Sequence, residues 1–379
     1  MKGKEKTMKF ILSTKPLKTA INLVVVNANV SKFFNRSLMA EITATRDRLI
    51  INTEASALLS EATLRGTGDG DKAVAFVDAL QLKALVATLN AAQVELEFTN
   101  TSLIIHSGKS SFALPKQADE SDGDFASPDV LTEDMIANAN TVDGASWKFI
   151  KDHQLYAIAT SYTEPVYTYI WTGADGDVLV GDSVNSLFTH SEVGQLDTNC
   201  LLRDTVVNLI TSLPENAQFI RKGNTYIVFI STDSYEYRTQ ITPLEENEKN
   251  GVYSSDIIIS IMELGDSYIE VSASDILTAL NQSALLTTDK NPKIEFSVSD
   301  GVLRLKDKRV DIEIPAKGKV DSPYSIIFKS ALLKSVISNC PDDNLKIGPR
   351  ETDGEIAGII VNTPQMTSVL ACVDSDSVD

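Results

Sequence analysis

The sequence predicts an α+β fold made of three similar domains, each with two helices packed on antiparallel sheet. Its 379 residues are enough for two or three domains of ordinary size. Two polar, acidic stretches divide the chain into thirds, and every third shows the same order of helix, strands, helix and strands. The predicted domains are residues 1–125, 126–250 and 251–379.

The dividing stretches are residues 116–124 and 245–251, with the sequences KQADESDGD and EENEKNG. Apolar side chains are almost absent from them, so neither stretch can contribute to a hydrophobic core. Such a composition is typical of solvated connections between domains.

The later half of each third carries a run with helical spacing of apolar residues, then a short break, then strands in which apolar and polar residues alternate. The predicted helices are residues 79–89, 202–213 and 330–340. The strands that follow are residues 94–98, 102–106 and 110–114 in the first third, 217–221, 226–230 and 235–240 in the second, and 345–347, 356–361 and 367–373 in the third.

An earlier helix is predicted in each third, over residues 14–29, 146–161 and 274–288. Pro16 lies in the first turn of its helix, where proline is tolerated. Ser146 and Ser274 are suited to cap the other two. Several short strands are expected between the two helices of each third.

The net charge of −18 is distributed unevenly. Residues 1–125 hold 15 basic and 14 acidic side chains, residues 126–250 hold 7 and 18, and residues 251–379 hold 12 and 20. This balance argues against a general nucleic-acid binder, which usually carries a basic surplus. The nearly neutral first third shows, however, that local charge has to be considered separately from the average.

Membrane and disulfide-rich classes are not indicated. No apolar run approaches the roughly 18 residues that a spanning helix requires. Cys200, Cys340 and Cys372 are odd in number and widely spaced. They fit neither a disulfide framework nor a paired metal site, and we expect a reducing compartment.

No enzyme motif is evident. The chain lacks a phosphate-binding G-x-x-x-x-G-K-S/T loop and a G-x-S-x-G elbow, and its three histidines are far apart in sequence. The Asp/Gly-rich segments 66–71 and 173–177 are interpreted as turns rather than calcium loops. We therefore predict no catalytic residues, no metal and no cofactor.

Residues 269–328 resemble the third domain of the bacterial DNA polymerase sliding clamp, the beta clamp family. The resemblance is carried by IEVSASDILTALNQSALLTTDKNPKIEFSVSDGVLRL, then RVDIEIP, then YSIIF leading into a helix. The beginning of the chain, Met8-Lys-Phe followed by a helix, is similar to the first domain. The likeness extends over nearly the whole length in order and spacing, although few residues are identical.

The resemblance implies a non-enzymatic processivity factor. Two crescent-shaped chains would join head to tail into a six-domain ring that encircles duplex DNA without reading its sequence. Helices would line the pore, and a clamp loader and a DNA polymerase would be the partners. The setting implied is the cytoplasm of a bacterial cell or a phage-infected bacterium.

A pore that lets DNA slide requires weak positive potential rather than tight phosphate contacts. Residues 8–40 hold five basic side chains and no acidic one, which favours this part of the chain as lining. The residues predicted to face DNA are Lys15, Lys18, Lys32, Arg36, Lys83, Lys148, Lys151, Arg203, Lys329 and Lys334.

In the family that the chain resembles, partners insert a short apolar peptide between the second and third domains. The matching positions here are Leu187, Ile241, Pro243, Val369, Ala371 and Val373. The family often ends in a methionine-proline-methionine stretch with a basic tail, whereas this chain ends in ACVDSDSVD. The partner peptides are therefore expected to differ.

Two other functions remain open at the level of sequence. A clamp-fold scaffold could bind partner peptides without encircling DNA, which the uneven basic lining and the acidic end would allow. An acidic α+β hydrolase would need a specific carboxylate pair, and the sequence singles out none.

Overall fold

A computed structural model describes residues 7–25, 38–55, 58–117, 125–159, 165–196, 198–245, 253–299 and 301–373. The first third contains β1 (Met8–Ser13), α1 (Thr14–Val24), β2 (Met39–Thr45), β3 (Arg48–Ala55), β4 (Leu58–Arg65), β5 (Thr67–Gly68), β6 (Lys72–Asp78), α2 (Ala79–Thr88), β7 (Gln93–Phe98), β8 (Ser102–Ser107) and β9 (Ser110–Pro115).

The second third contains α3 (Glu133–Ala137), β10 (Asn140–Thr141), α4 (Gly144–His153), β11 (Ile170–Thr172), β12 (Val178–Asp182), β13 (Leu187–Ser191), β14 (Cys200–Leu202), α5 (Asp204–Ile210), β15 (Gln218–Lys222), β16 (Thr225–Ser231) and β17 (Tyr235–Ile241). The third contains α6 (Ser255–Ser260), β18 (Tyr268–Ser272), α7 (Ala273–Leu286), β19 (Lys293–Ser299), β20 (Val302–Lys306), β21 (Asp311–Pro315), β22 (Lys317–Lys319), β23 (Tyr324–Lys329), α8 (Ser330–Ser338), β24 (Asn344–Thr352), β25 (Glu355–Asn362) and β26 (Thr367–Ala371).

Strand pairing repeats three times and confirms the predicted α+β class. One four-stranded arrangement joins the first strand of each third to its last three, as β1-β7-β8-β9, β10-β15-β16-β17 and β18-β24-β25-β26. The other uses the strands between the two helices, as β4-β3-β2-β6, β13-β12-β11-β14 and β21-β20-β19-β23. All these pairings are antiparallel.

Residue contacts divide the chain into two compact units, and the middle third contributes to both. One unit comprises Met1–Gly144 with Thr205–Pro243, and the other comprises Ala145–Asp204 with Leu244–Asp379. The division into domains 1–125, 126–250 and 251–379 stays a prediction.

In the first unit, β17 pairs with β4 and joins strands of the first and second thirds into one eight-stranded sheet. Helix α1 packs on this sheet and against α2. Leu17 and Ile21 of α1 are buried, and so is Tyr237 of β17, which donates a hydrogen bond from its hydroxyl to the Leu23 carbonyl at 3.3 Å. This unit also contains the five-stranded sheet β5-β1-β7-β8-β9.

In the second unit, β13 pairs with β26 and joins strands of the second and third thirds into one nine-stranded sheet. Helices α7 and α8 pack against each other. Ser272 caps α7 by accepting a hydrogen bond from the Asp275 backbone N–H at 3.3 Å. The prediction that Ser274 caps this helix was wrong, because the helix already begins at Ala273.

Helix α4 is shorter than the predicted 146–161 and ends at His153. The next residue, Gln154, is fully buried and bonds to both neighbouring strands. It donates to the Val178 carbonyl at 3.3 Å and accepts from the Ser191 hydroxyl at 2.9 Å. Because these hydrogen bonds hold the Gln154 side chain against the sheet, the backbone leaves the helix at this residue. The spacing of apolar residues in the sequence does not indicate such a contact.

Candidate nucleic-acid interface and peptide pocket

Eight of the ten residues predicted to face DNA lie in the described part of the chain, and Lys32 and Arg36 lie outside it. The exposed ones are Lys15, Lys148, Lys151, Lys329 and Lys334. Lys18, Lys83 and Arg203 are half-buried. Helices α1, α2 and α8 contain no acidic residue, so their exposed lysines are not neutralised within the helix.

Lys18 and Lys83 connect the two helices of the first third. The Lys18 ammonium donates to the Ala87 carbonyl in the last turn of α2 at 2.9 Å, and Lys83 donates to the Val25 carbonyl at the end of α1 at 3.3 Å. Each cation therefore lies at a helix C-terminus, where carbonyl groups lack intrahelical partners and the helix dipole is negative. Burial lowers the pKa of Lys83.

We expect Lys83→Met to lower the free energy of unfolding by about 0.5–1 kcal/mol, because the α1 terminus loses its cation. Urea unfolding followed by circular dichroism measures this change. Lys15→Met is the matched control, since Lys15 is exposed and its ammonium has no bonding partner among the described residues. Equal stability of the two variants would show that the Lys83 contact is not structural.

Three other basic side chains also have defined partners. Arg203 stacks on Tyr169, with its guanidinium carbon 4.5 Å from the ring centroid, and donates to the tyrosine hydroxyl at 2.6 Å. Lys148 forms an ion pair with Asp152 one turn along α4. Lys329 donates to the Asn185 side-chain oxygen at 3.3 Å. Arg203 is thus the most constrained of this group.

The residues predicted for a partner pocket are distributed over both units. Ile241 and Pro243 belong to the first unit, and Leu187, Val369, Ala371 and Val373 belong to the second. Leu187, Ile241 and Val369 are buried, whereas Pro243, Ala371 and Val373 are half-buried.

Strand register identifies Phe188 as the neighbour of Val369. In the β13–β26 pair, Phe188 lies opposite Val369, and Leu187 lies opposite Leu370. Side chains directly opposite each other project from the same face of a sheet, and successive residues alternate between faces. Leu187 therefore projects from the face opposite to that of Val369, which sequence spacing alone did not reveal.

Phe188 and Val369 belong to an apolar cluster beneath α6. The cluster comprises Val166, Tyr169, Trp171, Leu179, Phe188, Leu201, Tyr253, Ile258, Met262, Ile360 and Val369. Tyr167 packs against both Phe188 and Tyr253, with ring centroids 5.7 and 4.9 Å apart. On α6, Ile258 is buried in the cluster while Ile257 remains 66% exposed. An apolar surface thus continues from the cluster to solvent.

Strands β9 and β21 each lie at the end of a sheet and have one edge without a partner strand among the residues that the structure describes. Strand β9 is the last strand of the five-stranded sheet, and β21 is the last strand of the four-stranded sheet β21-β20-β19-β23. Unpaired edges expose backbone N–H and C=O groups that can pair with another chain.

An apolar pair lies at the end of α7, near β21. Leu285 is 84% exposed and Leu286 is 51% exposed. The end of the helix is attached to the β20–β21 turn, because Ser283 donates to the Asp307 carboxylate and Arg309 donates to the Leu286 carbonyl. Two adjacent leucines in a helix are also consistent with core positions, so the sequence did not distinguish this pair from buried residues.

With two repeated four-stranded arrangements and at least two helices in each third, the chain has the fold of the bacterial β sliding clamps. It is similar to the β subunit of DNA polymerase III from Thermotoga maritima, with 13% identity and a TM-score of 0.76 over 97% of this chain and 99% of that one. It is also similar to the β sliding clamp of C. crescentus, with 15% identity and a TM-score of 0.74 over 97% and 99%.

A third similar structure is the Helicobacter pylori β clamp bound to a DNA ligase peptide, with 11% identity and a TM-score of 0.67 over 97% of this chain and 100% of that one. No protein-family model and no curated protein matches the chain. Among the described residues, no helix is long and apolar enough to cross a membrane.

Proposed function

We propose that the protein is a sliding clamp, a non-enzymatic processivity factor that encircles duplex DNA and tethers a DNA polymerase. The proposal rests on the way in which strands from different thirds pair with each other within the chain. The last strand of one third pairs with an inter-helix strand of another, as in β17 with β4 and β26 with β13. The same rule applied once more would pair β9 of one chain with β21 of the next.

Such a joint is heterologous, because it uses different surfaces on the two chains. Heterologous contacts close into a ring when the rotation between chains permits it. Two chains would supply six thirds, joined by four internal and two intermolecular strand pairs. The exposed Leu285 and Leu286 beside β21 would supply apolar surface to the intermolecular joint.

The pore surface would come from the helices. Lys15, Lys148, Lys151, Lys329 and Lys334 are exposed, and they would give a positive potential that is too weak to hold any one phosphate. We propose that a second group of basic residues also belongs to this lining, namely Lys18, Lys32, Arg36, Lys83 and Arg203. Closure of the ring, rather than affinity, would retain the DNA, while the acidic remainder of the surface would repel DNA outside it.

Partner proteins would dock at the apolar cluster that includes Val369. The H. pylori clamp, which has the same fold, binds a DNA ligase peptide. We propose that polymerase and loader peptides bind here next to Val369, Phe188 and the exposed Ile257, with Ala371 and Val373 following Val369 along the chain. Apolar anchors in a groove are a common mode of peptide recognition. The proposed setting is a bacterial cell or a phage-infected bacterium.

Retention on circular DNA tests the proposal. The protein is incubated at high concentration with nicked plasmid, and the mixture is then gel-filtered at a salt concentration that screens phosphate contacts. We expect co-elution with the circle and loss of the protein after one restriction cut, because a ring can slide off an end. The non-encircling scaffold would be favoured if the protein is retained equally on circular and linear DNA and still binds partner peptides in a separate assay.

A further inference from the structure

Three metal-ligand side chains converge on the solvent-facing side of the five-stranded sheet β5-β1-β7-β8-β9. Glu95 of β7 lies directly opposite His106 of β8, and Glu97 lies two residues further along β7 on the same face. One ligand atom from each of the three lies within 4.8 Å of the others. No other group of three such side chains approaches this closely in the described chain.

Two hydrogen-bonded pairs currently occupy this cluster. The Lys9 ammonium of β1 donates to Glu95 at 2.7 Å, and His106 Nε2 lies 2.9 Å from a Glu97 carboxylate oxygen. One lysine thus faces two carboxylates, and the hydrogen bond and charge of Glu95 raise the pKa of Lys9. The exposed fractions of Glu95, Glu97 and His106 are 29%, 21% and 34%, so a solvated ion can reach all three.

We propose that Glu95, Glu97 and His106 form a binding site for a divalent transition-metal ion of the zinc type. Imidazole nitrogen with carboxylate oxygen is a donor set that Zn²⁺ binds in tetrahedral geometry, with the fourth position left to water. Tetrahedral bonds of about 2.1 Å separate the donor atoms by roughly 3.4 Å. Side-chain rotations that move each donor by about 1 Å close the difference from the observed spacing.

The donor types favour zinc over the hard cations. Calcium takes six to eight oxygen ligands, and magnesium rarely uses imidazole, whereas this site offers one nitrogen and two separate carboxylates. A dication would neutralise both carboxylates and displace the Lys9 ammonium from Glu95. The inference goes beyond the proposed clamp function and does not depend on it.

The chain provides an internal comparison. His190 also pairs with a carboxylate, since its Nε2 lies 2.7 Å from the Asp177 side chain. Among the described residues, no third ligand joins this pair. His190→Gln therefore removes a histidine of similar pairing without touching the proposed site.

Isothermal titration calorimetry of the chelator-treated full chain with zinc chloride tests the site. We expect one saturable zinc per chain, at least about tenfold weaker binding in His106→Gln and Glu97→Gln, and unchanged binding in His190→Gln. Lys9→Met should bind about two- to fivefold more tightly, because the competing ion pair is exposed and weak. A structural effect on folding would not strengthen binding in this way.

X-ray absorption at the zinc edge provides a readout that does not depend on the variants. A shell of oxygen and nitrogen with one imidazole is expected. Sulfur in the shell would assign the metal to a cysteine and overturn the proposal. Absence of stoichiometric binding, or wild-type affinity in His106→Gln, would overturn it as well. Circular dichroism of each variant verifies that the fold is intact.

Discussion

Replacing both Leu285 and Leu286 with aspartate is expected to convert the proposed ring into monomers. The two side chains are 84% and 51% exposed in the single chain. Burying a leucine contributes about 1.5–3 kcal/mol, so losing the pair weakens association by about 3 kcal/mol or more. That corresponds to roughly a hundredfold or greater increase in the dissociation constant.

We expect the double substitution to weaken the joint between chains in particular, because of where the two leucines lie. The end of α7 is attached to the β20–β21 turn through Asp307 and Arg309, so the leucines lie next to the open edge of β21. Aspartate there would also add charge beside Asp311 and Glu313 of the edge strand. The substitution would therefore weaken both the apolar contact and the strand pairing between chains.

Light scattering coupled to gel filtration, over a range of protein concentrations, measures the change in mass. Val184→Asp is the matched control, because Val184 is an apolar side chain that is 60% exposed in the β12–β13 turn. It should leave the assembly intact. A wild-type chain that stays monomeric, or a double variant that assembles normally, would exclude closure at this edge.

Replacing Arg238 with methionine is expected to lower the free energy of unfolding by about 2–3 kcal/mol. Arg238 of β17 forms an ion pair with Glu61 of β4, in the strand pair that joins the first and second thirds. The Glu61 side chain is only 11% exposed, so removing the arginine leaves a buried carboxylate without its partner. Breaking a fully buried pair costs about 3–5 kcal/mol, and partial exposure reduces this figure.

Urea unfolding followed by circular dichroism, with hydrogen exchange of β4 and β17, measures this loss. Tryptophan fluorescence is less suitable, because Trp147 and Trp171 both belong to the other compact unit. Adding Glu61→Leu to Arg238→Met should recover part of the stability, since the unpaired charge is then gone. Arg46→Met, which breaks a fully solvated ion pair with Asp71, should change little. An equal loss in both arginine variants would contradict the burial argument.

Local pattern was sufficient to predict most helices and strands. The predicted helices 79–89 and 330–340 became α2 and α8, and the strand 94–98 became β7, each within one or two residues. Such elements follow from the spacing of apolar residues, which depends on near neighbours only. The same local patterns revealed the threefold order and the resemblance of residues 269–328 to sliding clamps.

Register and side-chain partners depended on tertiary structure. Gln154 ends α4 early because it bonds to strands that lie 24 and 37 residues further along the chain. Phe188, rather than Leu187, lies beside Val369 because of the register in which β13 meets β26. No local pattern encodes such pairings.

The sequence by itself determined the fold class, the threefold order and the distribution of charge, because these properties follow from the composition and periodicity of short segments. The tertiary structure decided which lysines hold helix ends, which edges stay open, and that His106 meets Glu95 and Glu97. These contacts join residues from separate strands and helices. Their energy depends on the register of distant strands, so they exist only once the sheets have formed.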